Sequence, residues 1–403
     1  MTETPGTETD IAIVGGGTVG SLLAKGLLAR THCRVSLIDA NSFSVDERHP
    51  GFDARVIALA KRTLDELEKL GVSLNVSHAA EITRIQVSEQ GAAGLCQLDA
   101  RQHGLPAFGR VVALTELGKA FRVESHPRLS IHAPASVTEV NRQQESVTVT
   151  LDNGHTLRAR LLVLADGGRS ELGNQLGLQH RSDDYNQTAI VANVRTSEPH
   201  NNWAYERFTP FGPLAFLPFN HGGVSESQSG SYGFAMVWTL PPEQAKRLLK
   251  CTDAEFVRQL QAAFGYRHGI IEGVGKRTHY PLVLRTADPA ISHRVVTIGN
   301  AAQTLHPIAG QGFNLGLRDV IGLIDSLESE PDPGAFSVLH RFQQSRQGDR
   351  QATISLTDSL VRLFSNSHWP LQAARNIGLI SMDNLSALKQ RFVRQTTGFG
   401  PKA

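Results

Sequence analysis

Cysteine is scarce: three occur in 403 residues, Cys33, Cys96 and Cys251, far apart and with no CxxC pair. That usage excludes a disulfide framework and a cysteine-based metal site, so no metal is expected, and it fits a reducing compartment. Long hydrophobic runs are also missing. The longest, such as residues 161–165, fall far short of the roughly 20 residues that cross a bilayer. Neither sign of charge dominates: 40 Lys+Arg against 38 Asp+Glu leaves a formal net charge of +2. No whole-molecule field draws the chain onto nucleic acid, and no basic stripe or basic-aromatic motif supports such binding. Residues 1–10 are polar and acidic, without the basic-then-apolar order of a secretory signal, so a cytoplasmic protein is expected, peripheral to the inner membrane at most. There is no internal repeat and no low-complexity tract. What remains is 40% hydrophobic and 19% charged, the balance of a packed enzyme-sized protein, with 37 glycines whose clustering carries the information.

Residues 10–14 are a short apolar run, a glycine cluster follows at once, and Val19, Leu22, Leu23 and Leu27 recur at helical spacing over 18–30. Residues 34–38 read as a second strand ending at Asp39, which completes a βαβ unit and opens a Rossmann-like sheet. Ile57, Leu64, Leu67 and Leu70 predict a helix over 54–70, closed by Gly71. Residues 137–140 and 147–151 alternate as strands, Asp152-Asn153-Gly154 is a hairpin turn, and 161–165 is apolar throughout, as in a central parallel strand. Strand-like pieces dominate from 183 to 284, around a Gly/Ser-rich loop at 222–230. A buried strand returns at 295–298, and the pattern is mostly helical from 334 to about 394. The expected fold is α/β: a Rossmann-like domain over 1–182, with segments near 80–110 on the side of a second domain. That second domain is an inserted β-sheet unit over 183–284; the first resumes over 285–334, and 335–403 is helical.

Gly15-Gly16-Gly17-Thr18-Val19-Gly20 fits G-x-G-x-x-G directly between strand and helix. Gly15 permits the tight turn, Gly17 lets a pyrophosphate approach the backbone, and Gly20 lets the helix pack on the strand. The helix amino terminus adds unpaired N–H groups and partial positive charge. Asp39, 24 residues after Gly15, stands where a carboxylate accepts the hydroxyls of an adenosine ribose. The ligand is FAD or NAD, and this motif alone does not choose.

Two further strand ends choose. Residues 161–170 run from an apolar strand into Asp166-Gly167-Gly168-Arg169-Ser170, and 295–302 run into Gly299-Asn300. With three such fingerprints in this order, the sequence resembles the class A flavoprotein monooxygenases, the para-hydroxybenzoate hydroxylase-like group. The resemblance implies that the first motif binds the ADP half of FAD. The second, with Asp166, would lie near FAD and the path of NAD(P)H, and Gly299 and Asn300 would hold ribitol. The family usually has Asp at the position of Asn300, but an amide still offers an acceptor and a donor to a hydroxyl. It also usually has an arginine a few residues after Ser170, where 172–175 offer none. No second G-x-G-x-x-G is present, which fits transient NAD(P)H binding.

Residues 304–316 follow as a glycine-rich loop entering an apolar helix, with Gly310, Gln311, Gly312, Phe313 and Asn314 at the junction. Backbone N–H groups there suit the negative charge of a reduced flavin, and Gly312 leaves the flavin face open to oxygen and an incoming ring. Residues 49–59, 205–209, 212–218 and 300–316 resemble the ubiquinone-biosynthesis hydroxylases, among which those acting on 2-polyprenyl-6-methoxyphenol share the Gly-Asn form of the third motif. The resemblance implies that Arg55 lies by the isoalloxazine or ribitol phosphate and that Val137 contributes backbone contacts at the adenine. It further implies that NAD(P)H reduces FAD, that O2 adds at flavin C4a, and that the resulting hydroperoxide hydroxylates the carbon para to a phenol hydroxyl.

His306, with Pro307 and Gly312 beside it, is a candidate for the catalytic loop, because an imidazole exchanges a proton near neutral pH. Tyr205 and Arg207 read more readily as cross-strand structural residues than as substrate-facing ones. Leu360, Leu363, Phe364, Trp369, Leu371 and Ile377, beside Arg362, Arg375, Lys389, Arg391 and Arg394, either dock on a membrane or cap the core. Expected partners are the polyprenylated phenol, other proteins of ubiquinone biosynthesis and a second copy of the chain. Two other functions stay open: hydroxylation of another ring position or of a small soluble phenol, and a non-catalytic FAD-holding subunit.

Overall fold

The structure is a computed structural model that describes residues 7–43, 55–74, 79–123, 125–220, 233–364 and 369–399. The quoted residues 49–54 and the loop at 222–230 lie outside the described residues, as do the side chains of Phe364, Trp369 and Leu371.

Strands Ile11–Val14, Leu161–Leu164 and Val295–Thr297 carry apolar or small side chains at nearly every position and are buried on both faces, which puts them inside a parallel sheet. The sheet order is Ile291–Ser292, Val295–Thr297, Leu161–Leu164, Ile11–Val14, Val35–Ile38, Leu129–His132, parallel except at the first pair. The two-residue period of a strand divides its side chains. Ile11, Ile13, Leu161 and Val163 face a helical layer, while Ala12, Val14, Leu162 and Leu164 face a second, smaller sheet. The helical layer is built from α1 (Thr18–Arg30), α2 (Lys61–Lys69), α3 (Leu114–Phe121) and α7 (Gln311–Leu327). The smaller sheet runs Thr7–Glu8, Thr156–Ala159, Val147–Leu151, Val137–Arg142, with α4 (Leu172–Gln175) beside it.

The expected helix over 54–70 is corrected. Val56–Ala60 is a strand, antiparallel to Gly109–Ala113, and the helix begins at Lys61. β-Branched Val56 and Ile57 favour the extended chain, and Gly109 admits the close approach, because a Cβ there would lie 2.0 Å from the Leu59 carbonyl oxygen.

A larger sheet runs Gln303–Thr304, Thr278–Ala287, His180–Thr196, Gly233–Leu240, Gly212–Pro218, Trp203–Thr209, Arg84–Glu89, Leu95–Asp99, with Ile271–Val274 also pairing to His180–Thr196. On one face it carries α5 (Pro242–Lys250) and α6 (Asp253–Phe264). Helices α8 (Phe336–Phe364), α9 (Trp369–Asn384) and α10 (Ser386–Thr396) approach the other face. Two ion pairs, the buried Arg346 to Asp319 at 3.0 Å and Arg318 to the half-buried Asp349 at 2.8 Å, fasten α8 to α7.

Candidate functional site

Because the central strands are parallel and in register, their carboxyl ends bring the three glycine motifs to one edge of the sheet. Gly15 has φ +104°, and a Cβ there would lie 2.5 Å from the Ala165 oxygen, so the first turn rests on the second motif. At Gly20 a Cβ would lie 1.8 Å from the Gly15 oxygen, which ties α1 against its own turn. Gly17, the residue before α1, has no atom of the described residues within 4 Å of that position and opens onto space among them. Gly299 (φ +60°) and Gly316 both press on Val19, which locks the third motif and α7 against α1.

Asp39 is buried at the end of Val35–Ile38, where its carboxylate accepts the Gly16 N–H at 2.5 Å and the Asn41 N–H at 2.7 Å. The Ala135 N–H donates to the Asp39 carbonyl at 2.8 Å, which brings the segment leading to Val137 beside it. Asp166 shapes the second turn, accepting the Gly168 N–H at 2.9 Å, the Ser170 N–H at 3.0 Å and the Ser170 hydroxyl. Asn300 stands exposed next to this turn. Arg55 sits at the start of Val56–Ala60, its carbonyl accepting the Leu114 N–H at 2.8 Å.

The start of α7 divides into residues that hold the fold and residues that face space. Asn314 is buried with its amide fully engaged. It accepts the Ala60 N–H at 2.9 Å and the Thr63 hydroxyl at 2.6 Å, and it donates to the Ala58 and Gly310 carbonyls at 2.9 and 2.7 Å. Gln311 is buried and donates to the Thr396 carbonyl of α10 at 3.2 Å. The Phe313 ring stacks on Phe121 at 6.2 Å. Gly310 takes φ +60°, and Gly312 has no atom of the described residues within 4 Å of a Cβ position, so among those residues α7, like α1, begins at open space.

Beside α7 lies a cavity of about 380 Å³, walled by the larger sheet, by Val56–Ala60, by Pro307, Ile308 and Gly310, and by α8–α10. Its lining is overwhelmingly apolar, with Ile82, Val87, Phe108, Leu217, Leu360 and Met382 among the contributors. Among the described residues two charged side chains line it, Arg375 and Glu206. Arg375 is buried and paired with Glu89 at 3.0 Å, and it also donates to the Leu363 carbonyl at 2.8 Å. Of the two roles the sequence left open for these helices, Arg375 itself serves the packed core. Lys389 and Arg362 are likewise engaged, by Asp383 and Asp358 at 2.8 Å each. The helices present both faces that the sequence left open: Leu360, Val361, Leu379 and Val393 turn inward, while Ile377, Ile380, Leu385 and Leu388 are exposed.

Glu206 was not singled out by the sequence reading. On strand Trp203–Thr209, Ala204, Glu206 and Phe208 point to the cavity, while Tyr205 and Arg207 point to the α6 side. There the Tyr205 ring meets His268 at 3.9 Å, and Arg207 donates to the Ala263 carbonyl at 3.0 Å. Glu206 makes no hydrogen bond or ion pair with the described residues, and closure from bulk solvent pushes its carboxyl up to about 7. The available signal was a carboxylate flanked at i−2 and i+2 by apolar residues of the inward face.

His306 is corrected. It is 1% exposed and does not line the cavity. Its Nδ1 accepts the Ile308 N–H at 3.2 Å, and its ring sits edge-on to Tyr185 at 5.5 Å. Burial, with no partner at Nε2 among the described residues, pushes it down to about 4, so it stays neutral where proton exchange was expected. Pro307 does line the cavity, and Gly312 lies on the same segment.

The residues present fit FAD. Two helix starts open onto space at Gly17 and Gly312, and the exposed amide of Asn300 lies next to the second turn. Gly15, Gly17 and Gly20 with Asp39 would hold the ADP half, and Asn300 and the α7 start the flavin half. When bound, FAD supplies the oxygen-transfer chemistry.

A family model described as FAD binding domain matches residues 8–351. The ubiquinone hydroxylase UbiL of Rhodospirillum rubrum is 34% identical over 402 residues, covering 96% of this chain and 89% of the relative. The 3-demethoxyubiquinol 3-hydroxylase of Escherichia coli is 30% identical over 99% of this chain and 100% of its own. Among solved structures, p-nitrophenol 4-monooxygenase PnpA from Pseudomonas putida superposes with TM-score 0.75 at 18% identity, over 98% and 100% of the two chains. An FAD complex of HpxO from Klebsiella pneumoniae gives TM-score 0.74 at 14% identity, over 98% and 99%. These two share the fold. The chain thus belongs to the FAD binding domain family and, within it, to the FAD-dependent monooxygenases of the ubiquinone-biosynthesis hydroxylase group.

Proposed function

We propose that the chain hydroxylates a polyprenylated methoxyphenol in ubiquinone biosynthesis, taking electrons from NAD(P)H and oxygen from O2. The observation that carries this reading is the apolar cavity beside the α7 start, which a prenyl tail and an aromatic ring suit chemically, each buried CH2 contributing about 0.8 kcal/mol. Residues 183–284, with the strands near 80–110, hold the ring, and residues 1–182 and 285–334 hold FAD. Leu363 lines the cavity and is itself 37% exposed, and the exposed Ile377 and Ile380 lie on α9 beside the lining residues Gly378 and Leu379. A substrate that dwells in lipid enters by this route, with the protein peripheral at the membrane and assembled with other enzymes of the pathway.

A second reading keeps the chemistry and moves the site of attack on the ring. It is supported by a relative whose own name specifies a 3-hydroxylase. Mass spectrometry of lipids from a strain lacking the protein separates the two. Accumulated polyprenyl-methoxyphenol with loss of ubiquinone is the expected outcome; another prenylated intermediate moves the ring position, and unchanged quinones overturn the pathway.

A further inference from the structure

We propose that Glu206 is the base that takes the phenolic proton of the substrate, an inference that rests on the ring-hydroxylating function proposed above. Glu206 is registered opposite Val87 on one side and Ala215 on the other, with Ala204 and Phe208 two residues away on its own face. A carboxylate among four apolar neighbours is a costly arrangement for a fold to keep unless something else occupies the remaining acceptor positions. The space it faces is the cavity, which on its other side is bounded by Pro307, Ile308 and Gly310, next to the open start of α7. Among the described residues, a ring held there has one carboxyl group within its walls to receive a hydroxyl.

The other polar and charged groups around the cavity do not compete for this role. Arg375, from α9, is bound to Glu89. Asn314 has every hydrogen-bonding position engaged, and Gln311 is tied to Thr396. Thr396 of α10 and Thr397 just after it bond back to carbonyls of that helix. Val56–Ala60 and α8 contribute only apolar lining, and Tyr205 directs its ring to the opposite face. His306 lies behind the wall and is neutral.

The step is a proton transfer. The phenol O–H bond breaks, an O–H bond forms on the Glu206 carboxyl, and the bonding pair stays on the phenol oxygen. From there it conjugates into the ring and raises electron density at the para carbon. Glu206 returns the proton to that oxygen once the ring is hydroxylated, so the residue is regenerated and no electrons are exchanged with it. With its carboxyl titrating at about 7, the acceptor form and the protonated form are both present near neutrality, the condition under which a general base is most effective.

The test uses the FAD-loaded protein, E206Q and E206D, with 2-decyl-6-methoxyphenol as the probe. Turnover is read as hydroxylated product across a pH series. The wild-type rate rises through about pH 7, while E206Q loses on the order of 100-fold or more at neutral pH and no longer shows that rise, and E206D recovers part of both. A second reading does not depend on turnover. In the infrared difference spectrum of wild type minus E206Q, the Glu206 carboxyl bands shift when the probe is added without NAD(P)H. Product formation in E206Q within about threefold of wild type, or the same pH rise in both proteins, overturns the role of Glu206. Infrared bands that ignore the probe overturn it as well. Wild type that makes no product from the probe while its Glu206 bands shift sinks the proposed substrate and leaves the acceptor role standing. Melting temperature and flavin content of E206Q report whether a loss of turnover reflects the fold.

Discussion

The Asn314 side chain donates to the Ala58 carbonyl at 2.9 Å, across 256 residues of sequence, and its oxygen takes the N–H of Ala60 two residues on. One amide thereby clamps the start of α7 to the strand that walls the cavity. Asn314→Ala leaves the buried Ala60 N–H and Ala58 carbonyl without partners, at about 1–3 kcal/mol for each group. A melting temperature several degrees lower, together with weakened FAD retention on gel filtration, is expected. Asn314→Asp is expected to fail almost as badly, because a carboxylate cannot donate to Ala58 or Gly310.

Gly17 and Gly20 stand in one motif but fail differently. Gly20→Ala drives a methyl group into the Gly15 carbonyl, 1.8 Å away, and is expected to cost stability in the FAD-free protein. Gly17→Val enters open space at φ −68°, an ordinary value for any residue, so the FAD-free protein melts as wild type does. Its FAD affinity falls by about tenfold or more, since one lost contact of about 1.4 kcal/mol already gives that factor. Melting curves without FAD and flavin titrations with it check both halves.

The pair Arg375 and Glu89 joins α9 to the larger sheet where both groups are buried. Arg375→Met alone leaves a buried carboxylate and is expected to destabilise by about 3–5 kcal/mol, whereas Arg375→Met with Glu89→Met costs far less. Urea titration of the two single variants and the double variant measures the coupling. Additive single effects would contradict the pairing.

Glu206 also makes a prediction about stability. Its folded-state pKa lies above its ordinary value of 4.5, so the folded protein binds more protons than the unfolded chain between 4.5 and about 7. Stability therefore falls as pH rises through that window and stays reduced above it. E206Q removes the effect, which is on the order of 3 kcal/mol. The variant is expected to melt higher than wild type above pH 7 and to match it below pH 4.5, as read by melting temperature across a pH series.

The three glycine motifs were legible because each is a local pattern of strand, glycine turn and helix, set by backbone sterics within about ten residues. Gly17 and Gly312 open to space as their positions at helix starts suggest. The stretch 54–70 was misread because apolar spacing over a short run serves a strand and a helix equally well. Only the pairing of Val56–Ala60 with Gly109–Ala113 decides between them.

By itself, the sequence determined the α/β class, the order of the three glycine fingerprints and the likeness to flavin-dependent ring hydroxylases. All three are carried by contiguous residues. Tertiary structure alone decided what surrounds each polar side chain. It paired Arg375 with Glu89 across 286 positions, engaged Asn314 in the fold, buried His306 into neutrality, and turned Glu206 rather than Tyr205 or Arg207 toward the cavity. The physical reason is that a side chain's charge state and reach depend on its dielectric surroundings and its partners, and in a sheet of distant strands those come from everywhere in the chain except its own neighbourhood.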